Sequence, residues 1–481
     1  MYKKSTLAKS IPFSGSFSLP SLGWFSRAAL CWLGFFILAL FAALITPLEI
    51  PGGLTLNSSA EHAAVAFGGD VGHYIDYADS MLETGRVDAI QMQRIFPPGT
   101  SLFIAAVFKT LGRDNYLWHM LFISAALWAS ALCFAYRALT FIRSPLLRFL
   151  AINSIWLFHT FTDWGLKTGS FFSEAKSMPF FLIALASLAI AIRERKPTFW
   201  ITALLAMTAA TYTRVYFETV GHFIFLGVFL ATSFNWIQRK RLPDSERTLA
   251  LKDWRWSLGV LVFFSATLMP WKLLNKHTGN GYAMCPAHYW MTFHNLWIPS
   301  EQLPEFIIAG NSACVADPEL CKIFQTIREE YKQDISLRVY KTAALATLVT
   351  RAGRWYAHRG SHFWKFWADF PGPSSSISKF RSNLEGYLVI ALAILSIILS
   401  LFQLRHPGPS RIWAAAVLAF TLQSFIMFTL AGMDYRHSFP VRLFFFTAIP
   451  LAFAVLPQFS FSLGRGFKPI FQANRERSMT V

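Results

Sequence analysis

Gly68 to Gly112 reads GGDVGHYIDYADSMLETGRVDAIQMQRIFPPGTSLFIAAVFKTLG. It follows the first long apolar run and is itself too broken by charge to cross a bilayer. Its first half carries Asp70, Asp76, Asp79 and Glu83. Tyr74, Ala78, Met81 and Leu82 recur between them at i, i+4, i+7 and i+8, a spacing that puts an apolar stripe on one helix face and the acids on the other. The spacing predicts an amphipathic helix at a membrane surface with Asp70 at its entrance. Gly85 and the Pro97-Pro98-Gly99 break then turn the chain sharply.

Outward from this stretch the chain is dominated by apolar runs. Of 481 residues, 54% are hydrophobic and only 15% charged, which excludes an ordinary soluble domain. The formal charge of +18 then reads as loop and headgroup chemistry rather than nucleic-acid binding, because no basic stripe stands clear of the apolar runs. Runs lie at 28–45, 117–135, 148–161, 178–192, 198–212, 217–235, 257–273, 385–403, 412–431 and 440–457. They predict an all-α polytopic membrane protein of about ten transmembrane helices. The lead before Ala28 is long and basic and Pro47 follows the run, which reads as an uncleaved anchor rather than a signal peptide.

The basic residues alternate with the runs. Arg137, Arg143 and Arg148, then Arg193, Arg195 and Lys196, then Arg239 to Arg255, then Arg405 and Arg411, all fall on connections on one side. The positive-inside rule makes that side cytoplasmic, together with both termini. The expected layout is a basic N-terminal segment 1–27, a membrane module 28–274 with a first extracytoplasmic loop 47–115, an extracytoplasmic loop 275–383, C-terminal spans 384–457 and a basic tail 458–481. In the large loop, Asp317–Leu348 has helical spacing, and Arg351–Trp367 mixes Arg, His and Trp in the manner of a lid or an interfacial anchor. Cys314 and Cys321 form a disulfide if that loop faces an oxidising compartment, whereas Cys31 and Cys133 read as inert thiols inside apolar runs.

Unusual polar residues collect opposite the basic connections. They are Asp70, Ser173-Glu174, Arg214 with Glu218, Trp271-Lys272 with Asn275, and Asp434-Tyr435-Arg436-His437. Ionisable groups at membrane depth are expensive and are paired or functional. Five such clusters at one surface suggest a single site. The plainer readings are a solvated face for Asp76, Asp79 and Glu83, an ion pair of Glu174 with Lys167 or Lys176, snorkelling for Arg214 and Arg436, and an interfacial belt for Trp271.

The motif GGD-x₃-Y-x₃-A-x₃-L-x-TG followed by FPPG-x₂-L-x₅-F-x₂-LG resembles the first loop of GT-C superfamily glycosyltransferases that use polyprenyl-phosphate sugars, such as protein O-mannosyltransferases and the aminoarabinose transferases of lipid A. Ser173-Glu174, Pro270-Trp271-x₃-Asn275-x₃-Gly279 and Asp434 to His437 resemble later segments of that family, in the same order. The resemblance implies an integral membrane glycosyltransferase with Asp70 as general base and Glu174 as a second catalytic group. Substrate contacts are expected at Tyr74, Arg214, Trp271, Lys272, Asn275, Arg436 and His437, of which Lys272, Arg214, Arg436 and His437 suit the leaving phosphate by their charge. Val71 stands where many relatives have a second acid, which counts against a two-carboxylate metal site; a divalent metal stays open and no other cofactor is implied. The implied partners are a polyprenyl-phosphate-linked sugar donor, a lipid, glycan or protein acceptor, and the bilayer. The compact size leans towards a bacterial inner membrane with the site facing the periplasm. A lipid or glycan transporter or flippase is the alternative, and a non-catalytic scaffold leaves Asp70 unexplained.

Overall fold

The computed structural model describes residues 24–45, 55–67, 69–87, 96–142, 144–160, 173–238, 244–279, 281–285, 376–430 and 439–456, with isolated positions at 322, 326, 345 and 349. Thirteen helices are delimited there, and no strand occurs among the described residues. They are α1 (Trp24–Ile45), α2 (Ala60–Phe67), α3 (Gly69–Thr84), α4 (Gly99–Leu111), α5 (Tyr116–Ala138), α6 (Pro145–Thr160) and α7 (Ser173–Glu194). Then follow α8 (Pro197–Thr213), α9 (Tyr216–Ile237), α10 (Asp244–His277), α11 (Ser376–Gln403), α12 (Pro409–Leu430) and α13 (Phe439–Val455).

As far as the described residues reach, each of the ten apolar runs coincides with one of these helices to within a residue. Among the described residues, six segments are long and apolar enough to cross a bilayer: Tyr116–Ala138, Lys176–Glu194, Tyr216–Ile237, Arg247–His277, Gly386–Gln403 and Pro409–Met427. The chain is a multi-pass integral membrane protein. Helix α10 begins well before its apolar run, because Leu249, Ala250, Asp253, Ser257 and Val260 keep a helical stripe going through the basic segment while Arg247, Lys252 and Arg255 face outwards.

Burial ranks the helices. The apolar window of α7 is 83% buried and that of α10 only 28%, so α7 is the axis of the bundle and α10 lies on its flank. Small residues explain how α7 is enclosed: Ala184, Ala186, Ala189 and Ala191 let α5 and α8 approach closely, which is how helices associate where lipid removes the hydrophobic drive between them. At the α9–α12 crossing, a Cβ on Gly227 would sit 2.6 Å from Ala419 Cβ and 2.8 Å from the Ala415 carbonyl oxygen, so only glycine fits. Large apolar side chains such as Ile37, Phe41, Phe263, Ile398 and Phe402 are exposed around the rim and suit lipid.

Helix α1 lies on α5. The Trp32 indole donates to Ser130 Oγ at 3.0 Å, and Cys31 and Cys133 face each other with sulfurs 3.9 Å apart. The two thiols thus meet across that helix pair. Helices α2 to α4 form a smaller core with the start of α5, built from Val71, Tyr74, Ile75, Ala78, Ile104, Phe108, Tyr116 and Met120.

Candidate functional site

Beneath one end of the bundle lies a floor of five phenylalanines from four helices. Phe181 is 4.8 Å from Phe217 and 6.0 Å from Phe420, ring centre to ring centre, and Phe444 stacks on Phe420 at 3.6 Å with Phe445 edge-on to both. Polar groups cover it. Lys176 precedes Phe181 by five residues and Arg442 precedes Phe444 by two, so both rise above the floor by less than about 8 Å at 1.5 Å per residue. Lys176 is 0% and Arg442 1% exposed, and both interact with neighbouring groups. A charge removed from water to that degree is retained only where it is matched by partners. Ser173, Ser177, Gln423 and Ser424 are buried at the same end, and the Tyr216 hydroxyl lies 3.4 Å from Gln423 Oε1.

Arg214 borders this layer. It caps α8 in an extended conformation, and its Nη1 donates to Ser173 Oγ at 3.0 Å. The contact orients the guanidinium, which also interacts with further neighbours. The Arg214 and Ser173 clusters are therefore in contact.

Lys272 is committed differently. Its ammonium forms an ion pair with Glu218, with side-chain exposures of 17% and 12%, and lies 5.8 Å above the Tyr282 ring. The Trp271 indole donates to the Met284 carbonyl at 2.8 Å, and Asn275 Nδ2 donates to the carbonyls of Ala283 at 2.9 Å and Met284 at 3.0 Å. Both residues are buried, and together they fold the turn 281–285 back over the pair. Burial first, and then the nearby Glu218 carboxylate, push the Cys285 thiol well above its ordinary range. In this structure Trp271 and Asn275 hold backbone, and Lys272 holds Glu218.

Asp70 sits in the first turn of α3, where a carboxylate complements the partial positive charge of a helix N-terminus, and it is half-buried with interacting neighbours. Tyr74 is buried one turn on, edge-on to Phe96 of the FPPG break at 4.9 Å. It fastens α3 to that break. The break then docks the whole loop: a Cβ on Gly99 would meet the Tyr212 carbonyl oxygen at 2.4 Å, and Thr100 Oγ1 donates to the Thr213 carbonyl at 3.2 Å. Gly99 and Thr100 thus seat the Asp70 module on the end of α8, one residue before Arg214. Of the other acids, Asp76 and Glu83 are exposed as expected, whereas Asp79 and Glu61 both bind Arg113. That guanidinium holds the Glu61 carboxyl below its ordinary range. Asp79 is deeper, and its desolvation outweighs Arg113 and raises it.

Arg436, His437, Asp434 and Tyr435, the helix expected over Asp317–Leu348 apart from isolated positions, the Arg351–Trp367 segment, Cys314 and Cys321 lie outside the described residues, as does the side chain of Glu174. Sequence reasoning passed over Lys176 and Arg442 as site residues. Their signal was present, since a lysine and an arginine inside otherwise apolar helices are expensive in lipid. Among the described residues, no three His, Cys, Asp or Glu side chains converge in a way that could hold a metal ion. Compared with known proteins, the chain matches no protein-family model and no curated protein sequence.

Proposed function

We propose that this protein is an integral membrane glycosyltransferase that moves a sugar from a polyprenyl-phosphate donor to an acceptor hydroxyl. In the reaction, the acceptor oxygen bonds to the anomeric carbon while its proton passes to the Asp70 carboxylate. The bond from that carbon to the phosphate oxygen breaks, and its electron pair leaves with the lipid phosphate. Lys176, Arg214 and Arg442 supply positive charge for that leaving group, as pre-placed cations do in phosphate and oxyanion chemistry. Arg436 and His437 join them by resemblance alone, and Glu174 enters only as the second catalytic group that the resemblance implies. With one carboxylate acting as base, direct displacement inverts the anomeric centre.

The observation that carries this reading is the seating of the Asp70 loop, through Gly99 and Thr100, beside a layer holding two fully buried cations. A ten-span arrangement with the basic connections in the cytoplasm puts that layer on the periplasmic side of a bacterial inner membrane, where lipid-linked donors are used. The test is sugar transfer by purified full-length protein in vesicles containing a polyprenyl-phosphate sugar. Asp70→Asn should elute and melt like the wild type and lose transfer by about a hundredfold or more, the scale of a general base. Undiminished transfer would remove Asp70 from the base role. The same cations would suit a carrier of lipid phosphate. That reading requires the lipid-linked sugar to change faces with its glycosidic bond intact, which the same vesicles report.

A further inference from the structure

The opposite end of the bundle holds a cavity of about 280 Å³ lined by Arg195, Thr232, Asn235, Leu249, Ala250, Asp253, Pro407, Gly408 and Pro409. It is many times the roughly 10–15 Å³ that one water requires. The Asp253 side chain is 5% exposed, and its Oδ2 lies 3.2 Å from Arg195 Nε, at an angle that leaves Nε without a true hydrogen bond. Asp253 Oδ1 is buried and has no hydrogen-bond partner. A buried carboxylate oxygen left unserved costs more than a missing neutral contact, so an oxygen kept in this state at a cavity wall is waiting for a donor.

The rest of the cavity is firmly built. Arg195 adopts φ +54°, a left-handed conformation that glycine takes more readily, directly after the last residue of α7. Arg411 braces the far wall, donating to Asn235 Oδ1 at 2.9 Å, Gln238 Oε1 at 3.0 Å and the Leu404 carbonyl at 2.9 Å. Leu249, Ala250, Pro407 and Pro409 give it apolar sides. Four of the apolar segments begin or end here, at Glu194, Ile237, Arg247 and Pro409. The cavity therefore opens at the membrane boundary, the depth of lipid headgroups.

We infer that this cavity binds a phosphoethanolamine group: a primary ammonium donates to Asp253 Oδ1, and the phosphate attached to it faces Arg195. Among the described residues its lining holds one anion and one cation, a combination that fits a zwitterion better than either ion alone. The ammonium must carry N–H donors, because the vacant partner is a hydrogen-bond acceptor. A quaternary ammonium is instead held by aromatic faces, and among the described residues no aromatic side chain lines this cavity. Phosphocholine is therefore discriminated against. The inference is independent of the glycosyltransferase reading, whose residues lie at the other end of the helices.

The experiment uses full-length protein in detergent, incubated with mixed micelles of equimolar phosphatidylethanolamine, phosphatidylcholine and phosphatidylglycerol with identical acyl chains. Retained lipid is quantified by mass spectrometry. Wild type should hold phosphatidylethanolamine over phosphatidylcholine by about tenfold, the factor one charge-assisted hydrogen bond supplies. Asp253→Asn should bring that ratio close to one. Ala250→Leu fills the cavity without touching a charge, and should do the same even if the aspartate variant folds poorly. Displacement of the lipid by free phosphoethanolamine at matched concentration assigns a soluble ligand of this chemistry, and resistance to it assigns the bilayer lipid. Equal retention of the two zwitterionic lipids by wild type, a preference for phosphatidylglycerol, or an unchanged ratio in well-folded Ala250→Leu would each overturn the inference.

Discussion

Helix α10 meets other parts of the chain through two ion pairs, one on each side of its apolar stretch, and the two are built differently. Lys272 meets Glu218 under a turn held by Trp271 and Asn275, with every one of those side chains serving another part of the chain. Asp253, nineteen residues earlier and about 28 Å away along the helix, meets Arg195 at a poor angle and keeps one oxygen unserved beside a cavity. That separation is close to the roughly 30 Å thickness of the hydrocarbon core, so each pair stands at one face of the membrane. The difference teaches how to read charge in such a bundle. A pair closed by the chain is structure, and a pair left open beside a cavity is a candidate for a ligand.

The contrast can be broken most severely at the closed pair. Lys272→Met should lower stability by about 3–5 kcal/mol, the scale of stranding a buried charge, and adding Glu218→Gln should restore most of the loss. Thermal unfolding of the purified single and double variants checks this, and simple additivity would mean that the two charges do not interact. At the open pair, Asp253→Asn should cost only about 1 kcal/mol in phosphatidylcholine micelles, because the amide keeps its contact with Arg195 and no completed network is lost.

The first loop provides an intermediate and a small case. Gly99→Ala must push against the Tyr212 carbonyl, which should cost about 1–3 kcal/mol as overpacking does. The cost should appear as faster proteolysis within residues 55–112 while the rest of the bundle stays protected. Arg113→Ala should cost no more than about 1 kcal/mol, since its partner Glu61 is exposed. Glu61 is held below its ordinary value of 4.5 by Arg113, so this contribution is complete above that pH and fades as the pH falls through the lowered value. Amide exchange in α2, compared at neutral and acid pH and at low and high salt, measures it. An acid-insensitive α2 would show that Arg113 does not hold it.

Much of the helical content was legible because it rests on local pattern. As far as the described residues reach, each apolar run coincides with a helix, and Tyr74, Ala78 and Met81 face inwards on α3 as their spacing requires, although Leu82 at the stripe's margin is 41% exposed. Val71, Ile75 and Tyr77 widen the buried face beyond that stripe because α2 and α4 cover α3 on two sides. The site was legible only in outline. Arg214 and Ser173 are in contact, while Lys272, Trp271 and Asn275 proved to be occupied by partners that spacing alone does not reveal.

The sequence by itself determined the solvent of this protein and the boundaries of its apolar runs. Both follow from composition and period, which act residue by residue. Only the tertiary structure decided which charges are buried and by whom they are met. The sequence shows Lys176, Arg442 and Asp253 only as charges in or beside apolar helices, and their burial arises from helices distant in sequence that remove their water. That removal belongs to packing: small residues such as Gly99 and Gly227 set how closely the helices approach, and the approach decides which polar groups are answered and which wait for a ligand.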